Sequence, residues 1–266
     1  MRQFFSKEPP LHEAIIQNNC QKAKTLIEQG YPLEQINPLG FTALEIAQFL
    51  GRDQILKLLS PLQFEHQLKI TFPDLTEAIN CSIPDLKAIF GVKYRRQLFF
   101  KDYSFFKETI KQCPFLLRFK WFTQDSQQLM QKHSEQLRQG YVADVEIKWT
   151  GQEKGFGLFA QTDLTSKTYI GEYTGLVRQL FRFNPDHNGY CYHYPTRWWS
   201  LKYLMVDACK VGNELRFANH SYDPNMEPFC MIDRNLLHIV LFTIKEVKKG
   251  EELTFNYGPD YWSSRS

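Results

Sequence analysis

Hydrophobic periodicity switches once along this chain, near Tyr141, and that switch limits the folds open to it. Before Tyr141 apolar residues recur at helical spacing. After it they come as short runs broken by Gly and Asn turn signals. Val142, Val145 and Ile147 open this second half, followed by strand candidates at 169–170, 204–206, 238–242 and 253–255. The expectation is an α+β chain: a helical half and then a β-rich half.

The helical half contains an internal repeat. Leu11-His12-Glu13-Ala14 returns as Leu44-Glu45-Ile46-Ala47, an offset of 33 that also aligns Asn18 with Gly51, Ala23 with Leu56 and Leu26 with Leu59. Each copy reads as two short helices, and Gly30 stands where the second helix of the first copy should stop. With Thr42-Ala43-Leu44 opening the second copy, residues 1–62 resemble a pair of ankyrin repeats. Two such units bury too little on their own, so the segment is expected to pack against the rest of the chain. Its purpose stays open between stability and a protein partner.

Residues 63–140 read as a helical connecting region. Ser82-Ile83-Pro84-Asp85, then Leu86, Ala88, Ile89 and Gly91, predicts a short capped helix, and 126–138 closed by Gly140 predicts another. Phe99, Phe100, Tyr103, Phe105, Phe106, Phe115, Phe119 and Phe122 suggest a helical layer with an apolar face. Lys93, Arg95, Arg96 and Lys101 lie among Tyr94, Phe99 and Phe100. A solvated face with core residues between the charges is the expected reading, ahead of nucleic-acid binding.

A net charge of +3 gives no strong pull toward nucleic acid or an anionic membrane. Six scattered cysteines fit reduced thiols in an intracellular compartment and lack zinc-site spacing. No signal segment or bilayer-length apolar run is apparent. Aromatics reach 15%. A Phe-rich core accounts for most, and a ring-lined site for a cation is the functional alternative.

Four polar segments of the second half carry the chemistry. They are Lys154-Gly155-Phe156-Gly157-Leu158-Phe159-Ala160 and Gly171-Glu172-Tyr173-Thr174-Gly175, then the stretch from Arg216-Phe217-Ala218-Asn219-His220-Ser221 to Asn225, and Gly250-Glu251-Glu252-Leu253-Thr254-Phe255-Asn256-Tyr257-Gly258. Alone each is a polar turn. In this order they resemble the SET-domain protein-lysine methyltransferases over about residues 142–262, within a C-terminal region 141–266.

That resemblance implies a β-rich fold in which the Asn219-His220-Ser221 stretch threads beneath the Tyr257 stretch as a pseudoknot. It implies S-adenosyl-L-methionine as methyl donor, S-adenosyl-L-homocysteine as product, and a protein substrate with an accessible lysine, histone tails foremost. Carried over by position, Tyr257, Tyr190 and Phe255 are the catalytic candidates, and Tyr190 or Tyr192 lines the lysine channel. Lys154, Gly155, Phe156, Gly157, Glu172, Tyr173, Arg216, Phe217, Asn219, His220, Tyr257 and Trp262 are the cofactor candidates.

Phe255 rather than tyrosine in that channel implies di- or trimethylation. Tyr222 stands where many members place a zinc-ligating cysteine, and no cysteine follows Tyr257, so no zinc is expected. The channel must then be completed by Tyr261-Trp262, the 61–140 segment or a second subunit. Asn256 replaces a common Asp. Non-histone substrates and a catalytically inactive SET/ankyrin scaffold remain alternatives. A nuclear enzyme and a bacterial effector acting inside a host cell fit equally.

Overall fold

The computed structural model describes residues 7–60, 66–112, 120–181, 188–194, 202–258 and 261. Four helices open it: α1 (Pro10–Ile16), α2 (Cys20–Glu28), α3 (Ala43–Phe49) and α4 (Asp53–Leu59). The 33-residue offset is repeated in the backbone. Asn18 and Gly51, equivalent positions between paired helices, are both left-handed, at φ 54° and 60°. Gly51 has a second reason to be glycine, since a Cβ there would lie 2.8 Å from the Phe99 ring. Thr42 and Glu45 cap α3 reciprocally.

The next segment is only partly helical, which corrects the reading of 63–140. It contains β1 (Gln67–Thr71), β2 (Ile79–Ser82), α5 (Ile83–Phe90), β3 (Lys93–Tyr94), α6 (Tyr103–Gln112) and α7 (Lys120–Gln139). Strand β1 alternates, with Leu68 and Ile70 buried, but at five residues its period-two signal is short beside the surrounding helical ones. Helix α5 has the expected limits: Ser82 and Asp85 cap its start, and left-handed Gly91 ends it. Helix α7 ends before left-handed Gly140 as expected but begins earlier than 126.

The remaining strands are β4 (Val145–Gly151), β5 (Gly155–Ala160), β6 (Tyr169–Glu172), β7 (Leu176–Phe181), β8 (Cys191–Tyr194), β9 (Lys202–Asp207), β10 (Val211–Gly212), β11 (Asn219–His220), β12 (Met226–Asp233), β13 (Leu236–Thr243) and β14 (Glu252–Phe255). A 3-10 turn, Glu214–Phe217, precedes β11. They form small sheets ordered β11-β14-β5-β4-β1-β2, β12-β13-β6, β7-β9-β8 and β10-β3. Two of these sheets mix strands from both sides of Tyr141: β1 joins β4 in parallel, and β3 joins β10 in parallel.

One continuous core runs through both halves. The Phe41 ring of the repeat pair lies 5.4 Å from the Phe106 ring. The Phe49 ring lies 5.3 Å from it, and the Phe100 ring 5.1 Å. Tilted and offset ring pairs at these separations gain on top of their buried area. The repeat segment therefore completes its core against the segment after it.

The basic run keeps Lys93 and Lys101 solvated, with Tyr94 and Phe100 buried between them, while Arg95 departs from that face. Lys93 and Arg95 both pair with Asp53 at the start of α4, and the Arg95 side chain is 11% exposed. Arg95 is thus turned inward, whereas Lys93 stays 44% exposed on the surface side of the same carboxylate.

Candidate active site

The site begins with a parallel register. Strand β11 lies beside β14, with Asn219 opposite Thr254 and His220 opposite Phe255. Asn225 reinforces the crossing from below: its amide donates to the Glu252 carbonyl and its side-chain oxygen accepts from the Thr254 N–H, both at 2.8 Å. The Ser221 N–H donates to the Phe255 carbonyl. Two stretches well separated in sequence are thus held by main-chain and Asn-mediated bonds that leave little freedom.

Tyr257 follows this crossing. Its backbone N–H donates to His220 Nδ1 at 3.2 Å, and its hydroxyl donates to the Ala218 carbonyl at 2.8 Å. The hydroxyl faces a narrow cavity of about 30 Å³ lined by Tyr173, Tyr190, Tyr192, Phe255, Arg216 and Tyr261, among others. The rings interlock: Phe255 is 4.9 Å from Tyr257 and 6.3 Å from Tyr192, and Tyr261 is 4.6 Å from Tyr257. Tyr190 and Tyr192 both line this cavity, so the choice between them is not either-or. The Tyr173 hydroxyl donates to the Tyr190 carbonyl at 2.9 Å and fixes that wall.

Arg216 is 8% exposed. Its Nε donates to the Ala208 carbonyl, and its guanidinium lies 4.1 Å from the Tyr190 ring centre. Phe217 turns away, into a cluster with Phe90 and Phe156. The walls are dry enough to move titrations. Burial, then neighbouring Tyr257, pushes the Tyr173 hydroxyl well up. Burial also raises Tyr192 and the Cys191 thiol and lowers His220.

The glycine segment sits on the adjoining sheet. Gly155 is left-handed at φ 71°. At Gly157 a Cβ would come within 2.6 Å of Glu252 Oε1 and 2.9 Å of Thr150, so a larger residue would have to displace the Glu252 carboxylate from Asn219. Asn219 donates to the Phe156 carbonyl and to Glu252 Oε1, joining this segment to the crossing. Lys154 lines a separate open concavity with Trp149, Thr150 and Glu252.

Glu172 and Trp262 stand apart from these candidates for different reasons. The Glu172 carboxylate is 1% exposed, pairs with His238 Nδ1 at 2.6 Å and is not among the residues lining the aromatic cavity. Burial in β6 raises its pKa. Trp262 lies outside the described residues. Sequence reasoning missed the Ala218 carbonyl, Cys191 and the clamps made by Asn225 and Glu252. The Asn and Glu were visible inside the quoted segments, but a main-chain acceptor has no signature in sequence. Among the described residues no group of three or more His, Cys, Asp or Glu side chains is arranged to hold a metal.

Part of this chain is similar to known proteins. Residues 155–258 match the SET domain family model. Over 131 residues the chain is 34% identical to a histone-lysine N-methyltransferase, H3 lysine-36 specific, of Cryptococcus neoformans, covering 48% of this chain and 16% of that protein. Over 118 residues it is 36% identical to the Homo sapiens histone-lysine N-methyltransferase SETD2, covering 43% of this chain and 5% of that one. A similar solved structure is KRYPTONITE in complex with mCHH DNA, an H3(1-15) peptide and SAH, at TM-score 0.37 and 28% identity over 44% of this chain and 23% of that one.

The C-terminal half is thus similar to the SET domain and to the corresponding part of these histone-lysine N-methyltransferases. The chain spans a sixth or less of the length of these two curated relatives.

Proposed function

We propose that this chain moves a methyl group from S-adenosylmethionine to the Nζ of a lysine on another protein. One observation carries the reading. The β11–β14 crossing sets the Tyr257 hydroxyl on the Ala218 carbonyl at the wall of a ring-lined cavity. Ring faces, a tyrosine hydroxyl and a main-chain carbonyl suit a sulfonium and an amine, and the Arg216 guanidinium in the same lining is engaged by the Ala208 carbonyl and the Tyr190 ring. Gly155, Phe156, Gly157, Arg216, Asn219 and His220 would hold the donor, which when bound supplies an electrophilic methyl on a positively charged sulfur.

The chain's own residues do the rest. A free lysine amine has a pKa of about 10.4, so it is mostly protonated at neutral pH. Dry aromatic walls disfavour the ammonium form and lower that value. The Tyr257 hydroxyl and neighbouring carbonyls orient the neutral amine, and alignment of this kind is worth up to about 7–11 kcal/mol. Phe255 is 4% exposed and offers no hydroxyl to fix a water beside the amine, which favours di- or trimethylation.

Histones or histone-like basic proteins are the substrates we favour, because the curated relatives are named histone-lysine methyltransferases. A nuclear setting, or a host cell reached by a secreted effector, follows from that substrate. The five free cysteines among the described residues suit a reducing compartment. We read the first four helices as two ankyrin-like repeats open to a protein partner, supported by the 33-residue offset and the matched left-handed turns at Asn18 and Gly51.

The test is incubation with radiolabelled S-adenosylmethionine, core histones and a cell lysate, with products read by mass spectrometry. Di- or trimethyl-lysine is expected. Monomethyl product alone would refute the Phe255 argument, and no labelled protein at all would favour an inactive scaffold.

A further inference from the structure

The N-terminal half reaches the active-site wall through one buried carboxylate. Glu214 opens the 3-10 turn that two residues later presents Arg216 to the cavity, and four residues later presents the Ala218 carbonyl to Tyr257. Its side chain is 6% exposed. Both partners come from the region before Tyr141. The Tyr94 hydroxyl donates to the carboxylate, 3.0 and 3.1 Å from its two oxygens, and His66 Nε2 lies 2.9 Å from Oε1. The His66 and Tyr94 rings stack at 5.3 Å.

Main-chain bonds hold Tyr94 in place. Strand β3 pairs with β10 directly before the turn, the Lys93 N–H donates to the Lys210 carbonyl, and the Arg95 N–H donates to the Gly212 carbonyl. The other cavity-side segment is tied the same way: Thr174 Oγ1 donates to the Arg95 carbonyl, and the Phe99 N–H to the Gly175 carbonyl.

A buried carboxylate is costly unless hydrogen-bonded, so a glutamate kept here needs both donors. An apolar residue would fill the volume without them. What the carboxylate adds is direction, since two donors at fixed positions set where the turn begins.

We propose that Glu214, held by Tyr94 and His66, is a positioning residue for methyl transfer: it fixes the 3-10 turn that carries Arg216 and the Ala218 carbonyl, and so sets the Tyr257 hydroxyl. This rests on the methyltransferase reading. It makes the segment before the SET-like stretch a working part of the site, acting through the turn without touching substrate.

The test compares wild type with Tyr94→Phe, Glu214→Gln and the double variant, measuring kcat and KM for core histones alongside thermal unfolding. Each single variant is expected to lose about 10-fold in kcat with KM for the protein substrate within about twofold. The double variant is expected to be no worse than the weaker single, because both remove one interaction. His66→Gln, at a side chain 27% exposed and with an amide that can still donate to the carboxylate, is expected to lose less, about threefold. Wild-type kcat in Tyr94→Phe and His66→Gln, or losses that add fully in the double variant, would overturn the proposal while leaving the methyltransferase reading intact. A wild-type protein that labels nothing would overturn both.

Discussion

The two halves of this molecule are held by different means. The C-terminal half is fixed by main-chain register: β11 against β14, Asn225 bridging Glu252 and Thr254, and the Tyr257 hydroxyl on a carbonyl. The N-terminal half joins it in part through β1 and β3, but its first four helices are fixed mainly by side chains. Its Phe41, Phe49, Phe100 and Phe106 rings form one cluster, and ion pairs latch it down. Chemistry that must place a hydroxyl within a fraction of an ångström uses backbone. Attachment of a helical module uses burial and charge, which many sequences supply equally well.

The sharpest latch is Arg234. With Asn235 it makes the two-residue turn between β12 and β13, and both are left-handed, at φ 49° and 63°. A turn of this hand suits a two-residue hairpin. Arginine is a poor residue for that conformation. Its guanidinium donates to Glu45 and to the Gly40 carbonyl and lies 4.1 Å from the Phe41 ring centre, while Asp233, itself paired with Arg138, flanks it. Burial opposes ionisation of Glu45 and Asp233, but the arginine hydrogen bonds outweigh it and hold both pKa values down.

Phe106→Ala removes the centre of the shared cluster and should cost about 3–5 kcal/mol. Urea unfolding is expected to show one transition moved as a whole. Two separated transitions would break the comparison, because the N-terminal half would then be an independent module.

Arg234→Asn keeps a turn residue suited to the left-handed region and removes the latch. The Arg234 side chain is 21% exposed, so water screens part of the pairing. The change should therefore cost about 2–3 kcal/mol, less than the loss of a fully buried pair. The same latch sets a pH dependence. Both carboxylates have folded pKa values below the unfolded ones, so their contribution is present above the ordinary carboxylate range and lost as pH falls through it, below about pH 4. Thermal melts of wild type should fall more steeply there than those of Arg234→Asn; parallel curves would remove the latch from the account. Asp53 is 37% exposed and its pairs are screened. Asp53→Asn is accordingly the smallest change in the same melts, about 0.5–1 kcal/mol.

The same contrast explains what sequence could tell. The β-rich half was legible because its crossing uses particular residue types in order: Gly157 packed close to Glu252, Asn219 and Asn225 as two-ended clamps, Tyr257 at the end. Caps were legible too, as at Ser82, Asp85 and Gly91, because local bonds make them. The short strands β1 and β3 were not, since each depends on a parallel partner far along the chain, β4 and β10. The inward turn of Arg95 and the pairing of Glu172 with His238 were hidden for the same reason: burial is settled by tertiary neighbours.

The central claim is that the Tyr257 hydroxyl, set by the chain crossing, does work on the reacting amine rather than on folding. Tyr257→Phe, compared with wild type for turnover on labelled histones and for S-adenosylhomocysteine affinity by calorimetry, tests this directly. The account predicts turnover down about 100-fold with affinity within about threefold. Turnover near that of wild type, or affinity lost in step with turnover, would contradict it.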